Sequence, residues 1–510
     1  MASGVIVRTN EYYDSVFLMR ASKRLSEVHG VQQTAVLMGT EKNKKLLEEI
    51  GIGGPQVEAA QPNDLIVAVI AESPEVVQSV LGRLDEWLQA SPATAGEVTL
   101  RTLEEGLARA PGANLAVISV PGAYAAREAR KALEAGLHVF LFSDNVSVED
   151  ELALKQLARE RGRLVMGPGC GTSLIAGKGL GFANAVRRGA IGAVGAAGTG
   201  LQEFTSLVHN LGGGISHAIG TGGRDLSDAI GGLTAFAALD ALQADPPTHV
   251  VCVLSKPPGI EVRSRLLKRL ADFPKPVVAC LLGADLGPQA ARGNLHIAQT
   301  LDDAAEQVCR LAGITARIEA AEMDAQAAAE HERASWAPEQ KYLRGLFAGG
   351  TLCYQTQQML RAAGLKVHSN TPLHGEQALE SPDRSREHTM VDMGDDYFTV
   401  GRPHPMIDAT LRAQRIRAEA RDPQVRLLLL DIVLGYNAAR DPVGDLLDAI
   451  GEARQAAAQR GGALTVVASI CGTALDPQDM ALQARLLREA GAIVFPSNAR
   501  AAQFCVRLLA

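Results

Sequence analysis

Ala190-Ile-Gly-Ala-Val194 runs straight into Gly195-Ala-Ala-Gly198-Thr199-Gly200-Leu-Gln-Glu203. A short apolar run, a glycine turn and a helix start, in that order, read as the strand-to-helix junction of a parallel sheet, where ligand loops lie. Free N–H groups at such a helix start, with the helix dipole behind them, favour an anion, and Thr199 adds a hydroxyl. The glycine theme recurs. Gly167-Pro-Gly-Cys170-Gly171-Thr172-Ser173 follows Leu164-Val-Met166, and Gly220-Thr-Gly222-Gly223-Arg224-Asp225 follows Ser216 to Ile219. Gly349-Gly350-Thr351 precedes a helix through Met359, Gly435-Tyr-Asn437 follows Leu427 to Leu434, and Gly472-Thr473 follows Thr465 to Ile470. Between Gly167 and Gly232 lie 19 of the chain's 51 glycines. The repetition predicts a shared phosphate or carboxylate site drawing on Gly167, Cys170, Gly171, Thr172, Gly198, Thr199, Gly200, Gly222, Gly223, Gly350, Thr351, Asn437, Gly472 and Thr473. Arg224 is the cation nearest one of these loops, and its planar fork suits a bidentate oxyanion.

Outward from these junctions, β-branched runs alternate with helical segments, the pattern of parallel sheets covered by helices on both faces. Strands are expected at Thr34–Met38, Leu65–Ile70, Leu115–Ser119, His138–Phe142, Ala190–Val194, Val250–Leu254, Val277–Leu281, Leu427–Asp431, Leu464–Ala468 and Ala492–Phe495. Helices are expected at Tyr124–Glu134, Val148–Arg159 and Pro477–Glu489, closed by Gly136, Gly162 and Gly491. The fold class is α/β, with three Rossmann-like or flavodoxin-like modules over residues 1–166, 167–316 and 341–510. Residues 317–340, polar and Ala-rich up to Pro338, read as a linker without an apolar face of its own.

The 510 residues carry 50 Lys and Arg against 57 Asp and Glu, a net charge of −7, which argues against a nucleic-acid surface. With 47% hydrophobic residues the chain can bury a large core, whereas 4% aromatics offer little stacking for bases or sugars. Cysteines stand far apart at 170, 252, 280, 309, 353, 471 and 505, without a CxxC pair, as buried thiols of a reducing cytoplasm would. No secretory h-region opens the chain and no long uncharged apolar run crosses a membrane, so a cytoplasmic location is expected.

Other motifs are missing. Gly195-x-x-Gly198-x-Gly200 is not a dinucleotide fingerprint, and no P-loop, GxSxG elbow or HExxH occurs. No metal set is expected: His368, His374, Asp392, Asp395 and Asp396 read as polar turns. Cys170, between two glycines, reads either as an activated thiol or as a small residue fitted to a tight loop. In Gly401-Arg402-Pro-His404-Pro405, two prolines stiffen a segment that either presents Arg402 and His404 to an acidic substrate or simply turns the chain.

Ile118-Ser-Val-Pro-Gly-Ala-Tyr124, Arg163-Leu-Val-Met-Gly167-Pro-Gly-Cys170-Gly171, Gly195–Glu203 and Gly220–Arg224 resemble the α-subunit of succinyl-CoA synthetases, and Leu430-Asp-Ile-Val-Leu-Gly435 with Gly472 resembles the ligase domain of the β-subunit. Together with Gly220-Thr-Gly-Gly-Arg-Asp-Leu-Ser227, Ser255-Lys-Pro-Pro-Gly259, Ala348-Gly-Gly-Thr-Leu-Cys353 and the stretch from Asp392 to Asp408, nearly the whole chain is similar to the FdrA family. The resemblance implies a CoA-binding-like first module, a succinyl-CoA synthetase-like second and an ATP-citrate lyase/succinyl-CoA ligase-like third.

Departures from that family shape the functional expectation. Residues 4–30 hold no glycine fingerprint for CoA, no Gly-His-Ala-Gly loop surrounds His296, and the ATP-grasp domain is missing. Lys256 stands where the synthetases carry the carboxylate that orients a phosphohistidine, and Gly169 where the family has Asp or Asn. A lysine there suits a free phosphate or acyl-phosphate dianion. The resemblance also implies paired helices, starting near Thr199 and Asn437, whose N-termini face the phosphoryl group, and a subunit role beside two companion proteins in oxamate carbamoyltransferase of allantoin catabolism. On that reading Lys256 and the helix starts hold phosphate, while Arg224 or Arg402, with His404 nearby, meets the carboxylate. Small molecules, carbamoyl phosphate and a small carboxylic acid, are the expected ligands. No cofactor is assigned, CoA having lost its loop; a homo-oligomer is compatible, and neither nucleic acid nor membrane is expected as a partner. Two other readings stay open: an acyl-CoA synthetase working with a separate ATP-grasp partner, and a scaffold subunit that binds phosphate without turnover.

Overall fold

In a computed structural model, residues 2–510 are described apart from positions 12, 14, 27, 41–42, 45–46, 49–50, 89–99, 285, 319–324 and 400–401. The chain divides into two compact units, Met1–Pro111 with Thr399–Pro403, and Gly112–Phe398 with His404–Ala510.

In the first unit β1 (Ala2–Arg8), β2 (Val31–Met38) and β3 (Leu65–Ala71) form an antiparallel sheet in the order β1-β3-β2. Helices α1 (Ser15–Ser26) and α2 (Pro74–Gly82) cover it, burying Leu18 and Leu25, Val77 and Val80 against Val67 and Val69. Strands β2 and β3 stand where the β-branched runs placed them, β1 is a strand the sequence reading did not expect, and the expected parallel pairing is corrected. Continuous apolar character reports burial on both faces and says nothing of strand direction. A separate parallel sheet, β4 (Leu115–Ile118), β5 (His138–Leu141) and β6 (Val165–Met166), belongs to the second unit with α3 (Gly122–Glu134) and α4 (Val148–Glu160). The stretch 1–166 is therefore two pieces rather than one Rossmann module.

Two seven-stranded sheets follow. The first runs β13 (Leu295–Ile297), β12 (Val277–Leu281), β11 (Val250–Ser255), β9 (Arg188–Ala196) and β10 (Ile215–Gly220) in parallel, then adds β7 (Thr172–Ile175) and β8 (Lys178–Gly181) antiparallel. The second is parallel throughout: β16 (Gln377–Ala378), β15 (His368–Ser369), β17 (Thr389–Asp392), β14 (Tyr342–Phe347), β18 (Val425–Val433), β19 (Thr465–Cys471) and β20 (Ala492–Phe495). Counting from β9, the first contains the doubly wound order 2-1-3-4-5, and the second shows the same order along β17-β14-β18-β19-β20 once the two-residue strands β15 and β16 at its edge are set aside. In such sheets ligands bind beyond the carboxyl ends of the strands, where the winding reverses.

Helix α5 (Gly198–Asn210) follows β9, and α10 (Gly350–Ala362) follows β14; α6 (Leu233–Ala244), α7 (Ile260–Ala271), α8 (Leu301–Leu311) and α9 (Ala325–Ala334) lie between them. Later come α11 (Thr410–Glu419), α12 (Gly444–Gln459), α13 (Met480–Glu489) and α14 (Asn498–Leu509). The two sheets share one core, in which Leu201, Phe204 and Leu207 of α5 meet Leu352 and Leu360 of α10 and Phe504 of α14. Each such side chain contributes about 1.5–3 kcal/mol on full burial. Within the expected linker, 319–324 lie outside the described residues. Helix α9 nevertheless docks on α14: Ala329 is fully buried, and Trp336 just beyond donates its Nε1–H to Thr465 Oγ1 at 3.0 Å. Alanine supplied the apolar face that a search for larger side chains misses. Among the described residues no helix is long and apolar enough to cross a membrane.

Candidate functional site

The N-termini of α5 and α10 meet. The Thr351 N–H donates to Thr199 Oγ1 at 3.3 Å, and both residues are buried. Glycine permits the approach: a methyl at Gly200 would stand 2.9 Å from Thr351 Cγ2, and one at Gly349 would stand 3.1 Å from Thr199 Cβ. The first N–H groups of a helix have no partner within it. Here two such sets lie beside each other at the switch points of both sheets, while Gly198 opens onto free space. The partner of α5 is thus α10 and not a helix at Asn437. Asn437 sits in a turn at φ 65° with its Nδ2 donating to Gly181 O at 2.8 Å, and α12 starts only at Gly444.

Three side chains surround the Gly349–Thr351 turn. The ammonium of Lys256, just past β11, makes no hydrogen bond or ion pair with another described residue; its Nζ lies 5.6 Å from the ring centroid of Tyr354 on α10. Asp431 of β18 accepts the Ala348 and Gly349 N–H groups at 2.8 Å each and pairs with Arg412 at 2.7 Å. Asp392, at the end of β17, accepts the Gly394 N–H at 3.0 Å through Oδ1. Its Oδ2 would lie 2.4 Å from a methyl at Gly350. Burial pushes the Asp392 carboxyl up to about 6, with the Lys256 charge pulling against that rise. His404 Nδ1 accepts the Met406 N–H at 3.2 Å, and the ring packs 5.8 Å from that of Phe182. Burial pushes this imidazole down to about 4. It is therefore neutral at physiological pH and serves no anion as a cation; of the two readings of this stiff segment, His404 follows the one in which it turns the chain and is satisfied by backbone.

The remaining expected residues go elsewhere. Arg224 is committed: Nε and Nη2 meet Glu151 Oε2 at 3.0 and 2.9 Å, and Nη2 also donates to Val146 O. Glu151 in turn pairs with the buried Lys155, whose Nζ reaches Asp225 at 2.8 Å and Thr221 O at 2.9 Å, while Asp225 accepts the Thr234 and Ala235 N–H groups at the start of α6. Gly222, at φ 84°, gives the loop its bend beside Gly167 and Pro168; Gly223 is open. The Cys170 thiol is buried between Thr172 O and Ser173 Oγ, and burial pushes it up to about 11, which makes it inert. Gly171 accepts the Phe182 N–H, and Thr172 lies inside β7. Thr473 donates to Ala185 O, and Gly472 O accepts from Asn210, so this turn ties the two sheets together. Arg402 is exposed and belongs to the first unit.

Asp392 and Asp431 are the site residues that the sequence reading missed, one read as part of a polar turn and the other as a strand end. The available signal was an aspartate closing or ending an apolar run (Met390-Val-Asp392, Leu427-Leu-Leu-Leu-Asp431) in a sheet whose other strand leads into Gly349-Gly350.

Residues 346–507 match the CoA-ligase family, 187–278 the CoA binding domain family, and 1–102 a family described as AllF, heavy metal-associated domain. The YahF protein of Escherichia coli K12 is 43% identical over 499 residues, 98% of this chain and 97% of its own. The malate–CoA ligase α-subunit of Methylorubrum extorquens is 28% identical over 43% of this chain and 77% of that subunit. The succinate–CoA ligase α-subunit of Aquifex aeolicus is 27% identical over 39% and 66%.

Residues 1–102 contain no cysteine and one histidine, His29, and among the described residues no group of three or more His, Cys, Asp or Glu is placed to hold a metal ion. The residues present do not fit a heavy metal. At the α5 loop a methyl at Gly195 would stand 2.5 Å from Leu201 Cγ and one at Gly200 2.9 Å from Thr351 Cγ2, so these two glycines serve close packing of the helix on its strand and on α10.

Proposed function

The chain belongs to the FdrA-like family of succinyl-CoA synthetase-like proteins, together with YahF, and from that premise we propose that it is a subunit of an acyl-phosphate group-transfer enzyme moving a carbamoyl group between carbamoyl phosphate and oxamate. At the coarser level it is an acyl-CoA synthetase-like, ligase-like protein. The observation that carries the finer reading is the meeting of the α5 and α10 N-termini at Thr199 and Thr351, with Lys256 unpaired alongside. Helix starts and a cation stabilise a phosphate dianion where charge develops as it leaves, without a metal and without a phosphohistidine. The carboxylate role leaves Arg224, which Glu151 holds. Small acids as substrates and two companion subunits belong to the same proposal.

The CoA-binding and CoA-ligase family regions favour a second reading, an acid–thiol ligase that works with a separate ATP-grasp partner. One experiment separates them. The chain is combined with its companion proteins, and phosphate release from carbamoyl phosphate is followed with and without oxamate, CoA and ATP. Oxamate-dependent release that ignores CoA supports the transferase, whereas CoA- and ATP-dependent thioester formation overturns it.

A further inference from the structure

Two carboxylates flank the Gly349–Gly350 turn, and they are not equivalent. Both oxygens of Asp431 are occupied, by the Ala348 and Gly349 N–H groups and by Arg412. Asp392 engages Oδ1 with Gly394, and its Oδ2 accepts no hydrogen bond from another described residue. Its backbone is clamped on both sides by one side chain: Asn370 Oδ1 accepts the Asp392 N–H and Asn370 Nδ2 donates to the Asp392 carbonyl, each at 2.9 Å. A carboxylate fixed at its backbone and at one oxygen, with the other oxygen aimed at the first residue of α10, is held for use rather than for capping. The side chain is only 6% exposed. The charged or titratable groups around it are Lys256 past β11, Asp395 in its own loop, Asp431 on β18 and the Cys353 thiol on α10, with neutral His404 across Gly394. His404 cannot replace it as a base, because Nδ1 is taken by the Met406 N–H and Nε2 carries the proton.

We propose that Asp392 is the proton-transfer residue of the group-transfer site, taking a proton from an amide nitrogen of the acceptor substrate; this deepens the carbamoyl-transfer reading and rests on it. As the nitrogen lone pair attacks the carbamoyl carbon, a C–N bond forms and the bond from that carbon to the phosphate oxygen breaks. The phosphate leaves with the electron pair, against the α5 and α10 N-termini and Lys256, and the nitrogen's proton passes to Asp392 Oδ2. In the opposite direction a phosphate oxygen attacks the carbamoyl carbon, and protonated Asp392 returns the proton to the departing nitrogen. In that direction the proton also relieves the repulsion between the carboxylate and the incoming phosphate. Burial holds the group near neutrality, where either state is accessible.

The test is Asp392→Asn in the full chain combined with its companions. Asparagine keeps an oxygen for the Gly394 N–H and cannot accept the proton. Turnover of carbamoyl phosphate with oxamate is expected to fall by about 10²–10⁴-fold. The melting temperature and its rise with inorganic phosphate should hold, the latter growing where a negative charge is removed. The rise of wild-type kcat/KM with pH through the Asp392 ionisation should vanish in the variant. Turnover within threefold of wild type overturns the proposal. Asp392→Glu, which keeps a carboxyl group, should exceed the asparagine variant in turnover, and a value at or below it overturns the proposal equally. A wild-type complex without oxamate-dependent phosphate release overturns the parent reading and Asp392 with it, so the two failures are told apart.

Discussion

Glu203 shows what a buried carboxyl does when it has no cation to answer it. It lies on the fully buried face of α5, where its Oε1 accepts the Asn498 N–H at 2.8 Å. Burial pushes it up to about 8, against an ordinary 4.5, and the neighbouring Asp302 charge adds to the rise. Between those values the folded chain keeps a proton that the unfolded chain has released. Stability from this group is therefore complete below about pH 4.5 and is lost as the pH rises through about 8, at up to about 1.4 kcal/mol per pH unit. The melting temperature is expected to fall between pH 5 and pH 8, and Glu203→Gln, which keeps the acceptor for Asn498, should flatten that fall. A wild-type melting temperature independent of pH over this range would remove Glu203 as a titrating group. At this scale the sequence named residue types well and their occupations poorly. Lys256 and Thr199 stand where an anion site needs them, but nothing local to Arg224 reveals that Glu151, on a helix remote in sequence, claims it.

The meeting of α5 with α10 is a matter of elements. Each glycine-rich junction was visible along the chain, and each looked alike. Only two lead directly into helices whose first turns face one another; the loops at Gly222, Gly435 and Gly472 instead carry the bends and cross-links that hold the sheets. Which junctions face each other depends on how one sheet docks on the other, and that is not written in any single loop. Strand β14 escaped the sequence reading because Arg344 interrupts its apolar run. The fold answers that charge with Glu419 at 2.8 Å and Asp422 at 2.8 Å, so a buried arginine sits in a central strand. Close approach of the two helices predicts that Gly200→Ala, whose methyl would crowd Thr351 Cγ2, costs roughly 1–3 kcal/mol and weakens the phosphate response. Adding Thr351→Ser, which deletes that methyl, should restore much of both. Failure of the double variant to recover either would show that the helix contact is not what glycine preserves. Chemical denaturation and phosphate-dependent melting read the two effects.

At the scale of the whole molecule, two doubly wound sheets built on one shared core place the carboxyl ends of β9, β11, β14 and β17 around one turn. The alternation of apolar runs and helices made this α/β character legible, and every strand expected from such a run formed. Pairing direction was not legible: the first unit is antiparallel, and its matching family covers residues 1–102 by itself. The Ala-rich segment before Pro338 was underestimated for a related reason, since a helix such as α9 docks through small side chains that carry little hydrophobic signal. The central claim is that the α5–α10 turn, with Lys256, receives the phosphate of a carbamoyl phosphate. Its most direct test is the melting temperature of the full chain titrated with carbamoyl phosphate and, separately, with CoA, for wild type and Lys256→Ala. A ligand that binds the folded state raises the melting temperature by mass action. The account predicts a saturable rise with carbamoyl phosphate, a midpoint about tenfold higher in Lys256→Ala at an unchanged starting temperature, and no rise with CoA; a rise with CoA and none with carbamoyl phosphate would contradict it.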